Sequence, residues 1–209
     1  MYKHVIKRCF DLVLSGIGMV LLAIPMLLIA AAVALDDPGP VLFRQKRVGQ
    51  KKNGQLTYFM ICKFRTMRVS APHDVPTHLL QDQDRHITRF GRFLRRTSLD
   101  ELPQIVQVFT GRLSLVGPRP ALWTQADLIL EREKVGANGI RPGITGWAQI
   151  NGRDTLSVKQ KALLDGEYAE ALNIGGWRAF GMDLKCLLGT VPYALKGEGL
   201  REGAAVPEI

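Results

Sequence analysis

Residues 12–35 read LVLSGIGMVLLAIPMLLIAAAVAL, a run without a single charge. As one helix it is roughly 36 Å long, against a hydrocarbon core of about 30 Å. A soluble core seldom buries a helix of that length and uniformity, so the run assigns the chain to the membrane. Three readings follow. Ala32-Val33-Ala34 resembles a small-residue cleavage site, but a signal peptide carries an apolar region of only about 7–15 residues, and Asp11 interrupts the basic flank. A spanning helix fits by length. The flanks suggest a third form, because Lys3, Lys7 and Arg8 precede the run and Arg44, Lys46, Arg47, Lys51 and Lys52 follow it. The positive-inside rule is then content with both ends in the cytoplasm. Pro25, near the middle, frees a carbonyl and bends the helix. A re-entrant helix bent at Pro25, entering and leaving by one face, accounts for both features. On the residues alone, spanning and re-entrant forms stand side by side.

The 209 residues suit one domain plus an appendage. We divide them as 1–36 membrane helix, 37–196 main folded domain and 197–209 flexible tail. A net charge of +9 calls for an anionic partner: a phosphorylated substrate, acidic lipid headgroups or nucleic acid. Cys9, Cys62 and Cys186 have neither zinc spacing nor a disulfide framework, which fits a reducing compartment. Lys7 and Asp11 form an i, i+4 pair at the entrance to the apolar run.

Asp36-Asp-Pro-Gly-Pro40 ends the membrane helix. Residues 40–49 and 56–65 read as two strands around an Asn53-Gly54 turn, a small β-hairpin. Residues 69–84 lack periodicity and read as a loop, whose His73 and His78, with His86 beyond, are better taken as solvated than as metal ligands. Residues 85–96 interleave Phe90, Phe93 and Leu94 with basic side chains. That is an amphipathic helix, packed on the domain or on an anionic surface, and also a candidate phosphate clamp.

The clamp leads into Thr97-Ser-Leu-Asp-Glu-Leu-Pro-Gln104. Leu102, Ile105, Val106 and Phe109 recur at helical spacing and predict one buried face. With Asp100 as N-cap, Pro103 falls among N–H groups that lack an intrahelical partner. Asp100 and Glu101 then sit at the positive end of the dipole and stay ionised, ready to act as nucleophile or metal ligand. Ser98-x-x-Glu101 also fits a simple capping box. Downstream, Gly117-Pro-Arg-Pro120 presents Arg119, and the glycine-bearing stretch from Ile140 to Arg153 offers Arg141 and Arg153 to phosphates. Helices are expected at Leu122–Val135 and Leu156–Leu172. A last helix, broken near Pro192, carries an apolar stripe of Trp177, Phe180, Leu184, Leu187, Leu188 and Val191, either core or interfacial. The whole is an α+β protein, mostly helical. No repeat, Walker loop or dinucleotide fingerprint is present.

Taken together, Lys7-Arg8…Asp11, the apolar run with its proline, Pro40-Val-Leu-Phe-Arg-Gln, Lys63-Phe-Arg-Thr-Met67, Thr97–Gln104, Ser114-Leu-Val-Gly-Pro-Arg-Pro120 and Arg141–Arg153 closely resemble the monotopic phosphoglycosyl transferases among the bacterial sugar transferases. The matches run in order through most of residues 1–190. The resemblance implies transfer of a sugar 1-phosphate from a UDP-sugar to a polyprenyl (undecaprenyl) phosphate with release of UMP, an early membrane step in building a bacterial glycoconjugate. It implies Asp100 as nucleophile forming a covalent phosphosugar, and Glu101 as a ligand of catalytic Mg2+. Lys63, Arg65, Arg119, Arg141 and Arg153 become the expected substrate contacts. It also favours the re-entrant form, with a cytoplasmic catalytic domain on the bacterial inner membrane among anionic phospholipids. Ile24 stands where relatives often carry Ser, Arg112 replaces a common carboxylate, and Asp165-Gly-Glu-Tyr168 lacks the usual aromatic residue before Tyr168.

Two other classes compete. A membrane phosphohydrolase would use water in place of the lipid acceptor. A non-catalytic anchor would bind nucleic acid through its basic face, but no nucleic-acid motif supports it. The sugar, the pathway and any oligomeric state are not encoded legibly.

Overall fold

The computed structural model describes residues 2–71, 83–152 and 155–196. His73, His78, most of the expected 69–84 loop and the tail from Gly197 lie outside them. A π-helical turn at Tyr2–Ile6 runs into α1 (Lys7–Asp36), which stays helical through Pro25. Its middle is turned outward: Val20, Leu21, Ile24, Leu27 and Leu28 are each about 70% exposed. The buried positions of α1 are Lys7, Asp11 and Ser15 at one end and Ile29 and Val33 at the other, each set spaced by four. Ser15 and Ile29 are nearly four whole turns apart, so one stripe faces the domain from end to end. Between them Gly16 and Gly18 lie against Phe109 and Ile105.

The N-terminal end is held by polar groups. Asp183 accepts from Tyr2 Oη at 2.8 Å, Tyr168 Oη at 2.6 Å and Lys7 Nζ at 2.9 Å. The Asp11 carboxylate accepts from Ser114 Oγ at 2.8 Å and the Leu115 amide at 2.9 Å. The expected Lys7–Asp11 pair gives way to these longer-range partners. At the other end Asp36 accepts from the Phe90 amide at 3.1 Å, and Asp37 pairs with Arg65 at 2.6 Å.

Strands β1 (Leu42–Val48) and β2 (Tyr58–Phe64) pair antiparallel in register Leu42↔Phe64 to Val48↔Tyr58. The turn forms where Asn53-Gly54 predicts it, with φ of 50° and 78° closed by a Lys52↔Gln55 bridge. The chain continues through α2 (Gln83–His86), α3 (Arg89–Thr97), a 3-10 turn at Leu99–Glu101, α4 (Gln104–Phe109), β3 (Ser114–Val116) and α5 (Ala126–Lys134). Then come β4 (Gly143–Thr145), parallel to β3, α6 (Trp147–Ile150), α7 (Val158–Ile174) and α8 (Gly176–Lys196). Helix α7 opens on a capping box of Ser157 and Gln160. One core joins Val116, Ile140, Tyr168, Leu172 and Ala179; a second joins Ile29 and Val33 to Phe64 and Leu94.

Two expectations need correction, the buried face of α4 and the break of the last helix at Pro192, and the apolar stripe of α8, open between core and interface, lies mainly outward. The buried face of α4 is Gln104, Gln107 and Val108, while Val106 and Phe109 are over 40% exposed. Gln107 is drawn inward because its amide completes the free edge of β2: Nε2 donates to Met60 O at 2.6 Å, and Oε1 accepts from Cys62 N at 3.0 Å. In α8 the buried positions include Ala179, Asp183 and Cys186, so Trp177, Leu184, Leu188 and Val191 face outward. Helix α8 also continues through Pro192 to Lys196 instead of breaking there.

Candidate active site

Helix α3 starts on Thr88, whose Oγ1 accepts from the Gly91 amide at 2.9 Å. It lies so close to the end of β2 that a Cβ on Gly91 would stand 2.1 Å from the Thr66 carbonyl oxygen. The helix ends at Ser98, whose left-handed backbone (φ 56°) reverses the chain into the 3-10 turn carrying Asp100 and Glu101. Helix α4 begins only afterwards, with Pro103 at its cap position. Both capping readings therefore fail. Asp100 is not the N-cap of α4, and the Ser98 side chain makes no capping bond.

The two carboxylates meet cations. Glu101 Oε1 lies 2.7 Å from Lys63 Nζ on β2 and 3.2 Å from Arg119 Nη2; Lys63 Nζ is 3.9 Å from Asp100 Oδ2. Arg119 is set by two backbone segments in close contact, since a Cβ on Gly143 would stand 2.1 Å from Gly117 N. Asp100 is only 3% exposed, and its Oδ1 has no hydrogen-bond partner among the described residues. Burial, with Glu101 adding to it, pushes the Asp100 carboxyl up to about 6, while Lys63, Arg95 and Arg119 hold it down. The expected stabilisation of the Asp100 charge by a helix dipole is thus corrected: desolvation outweighs a helix end that begins three residues later, although a carboxyl near 6 is still mostly ionised at neutral pH.

Beside Glu101 and Arg119 opens a cavity of about 200 Å3. Its apolar wall includes Leu22 of α1 with Leu102, Ile105, Ile144 and Ile150. Gln149 also lines it, and its Oε1 is buried without a partner among the described residues. A charged floor thus meets a wall contributed by the apolar N-terminal helix.

Of the expected site residues, the structure brings together Asp100, Glu101, Lys63 and Arg119. Arg65 is taken up by Asp37 at the end of α1, and Arg141 lines a different cavity beside Arg8. Arg153 lies outside the described residues. Sequence reasoning missed Gln149, for a buried amide has no spacing that marks it. Arg95, which acts on Asp100 electrostatically, was legible only as part of the basic run. The pair also suits a magnesium ion. Mg2+ is commonly held by one or two carboxylates, with waters and substrate phosphates filling the rest. Asp100 and Glu101 supply that donor set, and the unpartnered Asp100 oxygen is a vacant acceptor.

Residues 2–197 match the model of the bacterial sugar transferases. The chain is 39% identical over 198 residues to an uncharacterized sugar transferase, EpsL, of Bacillus subtilis, covering 95% of this chain and 91% of that protein. It is 37% identical over 202 residues to the exopolysaccharide production protein PSS of Rhizobium leguminosarum, covering 93% and 98%. To the UDP-glucose:undecaprenyl-phosphate glucose-1-phosphate transferase of Escherichia coli it is 42% identical over 174 residues, which is 79% of this chain but 36% of that longer protein. Matched by the family model over nearly its whole length, the chain belongs to the bacterial sugar transferases.

Proposed function

We propose that the chain moves a sugar 1-phosphate from a UDP-sugar to undecaprenyl phosphate at the cytoplasmic face of the bacterial inner membrane. The observation that carries this reading is the buried Asp100 beside Glu101, with Lys63 and Arg119 on the carboxylates and with Glu101 and Arg119 lining a cavity walled by Leu22 of α1. A soluble donor reaches the charged floor, and a lipid phosphate reaches it along the apolar wall. The names of the Escherichia coli relative and of the Xanthomonas campestris glucose-1-phosphate transferase, 44% identical over 154 residues, supply the substrate class.

In the first half-reaction Asp100 Oδ attacks the β-phosphorus of the UDP-sugar. The phosphoanhydride bond breaks, UMP leaves, and the sugar phosphate is held as an acyl phosphate on Asp100. In the second, an oxygen of undecaprenyl phosphate attacks the same phosphorus and the Asp100 carboxylate departs. Lys63 and Arg119 neutralise charge on the diphosphate so that an anionic nucleophile can approach. Magnesium on Glu101, with Asp100 beside it, would supply further charge neutralisation and leaving-group stabilisation.

The re-entrant topology belongs to the same proposal. Both ends of α1 are bound to one body, through Asp183 and Ser114 at the first end and through Arg65 and Phe90 at the other. A helix crossing the membrane would carry its two ends to opposite faces. The outward apolar residues of α3, α4 and α8, among them Phe93, Phe109 and Leu188, support an interfacial seat for the domain.

Magnesium-dependent UMP release from a panel of UDP-sugars is expected to require undecaprenyl phosphate and to vanish in Asp100→Asn. Release at full rate without the lipid would instead identify a hydrolase. Release persisting in Asp100→Asn would remove Asp100 as nucleophile. Arg119→Ala is expected to lower kcat/KM by about 10²-fold or more.

A further inference from the structure

A second cavity, of about 80 Å3, lies at the start of α1 and shares no lining residue with the first. At about 30 Å3 per water it has room for two or three waters or one tetrahedral oxyanion. Its walls carry Lys3, His4, Lys7 and Arg8 from the beginning of the chain, Asp11 from α1, and Arg141 from the segment before β4.

The cations there are poorly compensated. Lys7 pairs with Asp183 at 2.9 Å. Arg8, by contrast, donates to the carbonyl oxygens of Val108 and Phe109, both at 2.7 Å, and Lys3 to the side-chain carbonyl of Asn173 at 2.8 Å. Neutral acceptors satisfy hydrogen bonds without cancelling charge. Asp11 is the cavity's one carboxylate, and it accepts from the Ser114 hydroxyl and the Leu115 amide. Arg141 is half-buried and has no hydrogen-bond or ion-pair partner among the described residues. Its burial and the neighbouring Arg8 both oppose its charge, offset in part by Asp11. Burying cations together without a counter-charge is unfavourable, and an anion bridging Arg8 and Arg141 removes that penalty.

We propose that this cavity binds a phosphate group, at a site separate from the Asp100–Glu101 pair. The proposal goes beyond the transferase reading and does not rest on it. Two sources supply the same chemistry. Phe10, Val13, Leu14 and Ile17 are exposed within the next turns of α1, so a phospholipid could seat its headgroup here with its chains along that surface. A soluble phosphate would meet the same side chains.

The test uses the full chain in a phosphate-free detergent, with thermal melting followed against added phosphatidylglycerol, diacylglycerol of the same chains, or inorganic phosphate. Phosphatidylglycerol is expected to raise the Tm by roughly 5 °C near saturation, and diacylglycerol to leave it unchanged. An equal rise with inorganic phosphate would uphold the site and assign it to soluble phosphate. Arg141→Gln is expected to lose the rise, Arg141→Lys to keep part of it, and Arg119→Gln to keep all of it. The Lys variant guards against a fold that tolerates no neutral side chain at position 141. The proposal is overturned if neither phosphate compound raises the Tm, if diacylglycerol works as well, or if Arg119→Gln loses the rise while Arg141→Gln keeps it.

Discussion

At the scale of the residue, Asp100 carries a cost in stability that its proposed role as nucleophile would account for. A carboxyl raised from 3.8 to about 6 disfavours the folded state by roughly 3 kcal/mol once the pH is above 6. Below pH 3.8 both folded and unfolded forms are protonated and the difference is absent; between those values it grows as the pH rises. In chelator, Asp100→Asn is therefore expected to melt several degrees above wild type at pH 7.5 and level with it near pH 3.5. Equal melting at both pH values would contradict the burial argument. The adjacency of Asp100 and Glu101 was readable from the chain, but the raised carboxyl of Asp100 was not, because spacing carries no information about desolvation. Lys63 and Arg65 make the same point. Strand alternation sets them on one face, yet β2 ends at Phe64, and Arg65 turns to Asp37 instead of the site. Asp183, unmarked in the sequence, gathers Tyr2, Tyr168 and Lys7. Removing it in Asp183→Ala leaves Lys7 buried and unpaired, a loss of about 3–5 kcal/mol measurable by denaturant or thermal unfolding.

At the scale of the element, the order of helices and the hairpin were legible, and the faces they bury were not. Periodicity reports that a stripe is apolar without saying what it meets. In α4 and α8 part of each apolar stripe turns outward (Val106 and Phe109; Trp177, Leu184, Leu188 and Val191), while Gln107 and Asp183 go in. For a soluble domain that would be backwards; for one resting against lipid it is the ordinary arrangement. Helix α3 depends on a contact that the sequence marks only by a glycine. Because a Cβ on Gly91 would meet backbone at Thr66, no side-chain rotation relieves the clash. Gly91→Ala is expected to cost about 2 kcal/mol or more and to shift the turn bearing Asp100 and Glu101 away from Lys63. Its kcat should fall further than its Tm explains, which parallel kinetics and melting would reveal.

At the scale of the whole molecule, the question is which side of the bilayer holds each end of α1. Cys9 is exposed just before the apolar run, and Lys52 is exposed at the hairpin tip beyond it. In inside-out vesicles, a membrane-impermeant maleimide is expected to label both Cys9, in a Cys62→Ser background, and Lys52→Cys. Labelling of only one would mean that the helix crosses. The grip of one body on both ends of α1 has a mechanical consequence too. A spanning helix must match the thickness of its bilayer by tilting or by deforming lipid. In the proposed re-entrant form, a helix tied down at both ends on one side has no far surface to reach, so its depth is set by the protein and not by the lipid. Bilayers built from short or long acyl chains should then present the same working height to the cavity, and the rate of sugar-phosphate transfer should be nearly indifferent to which of them the protein inhabits.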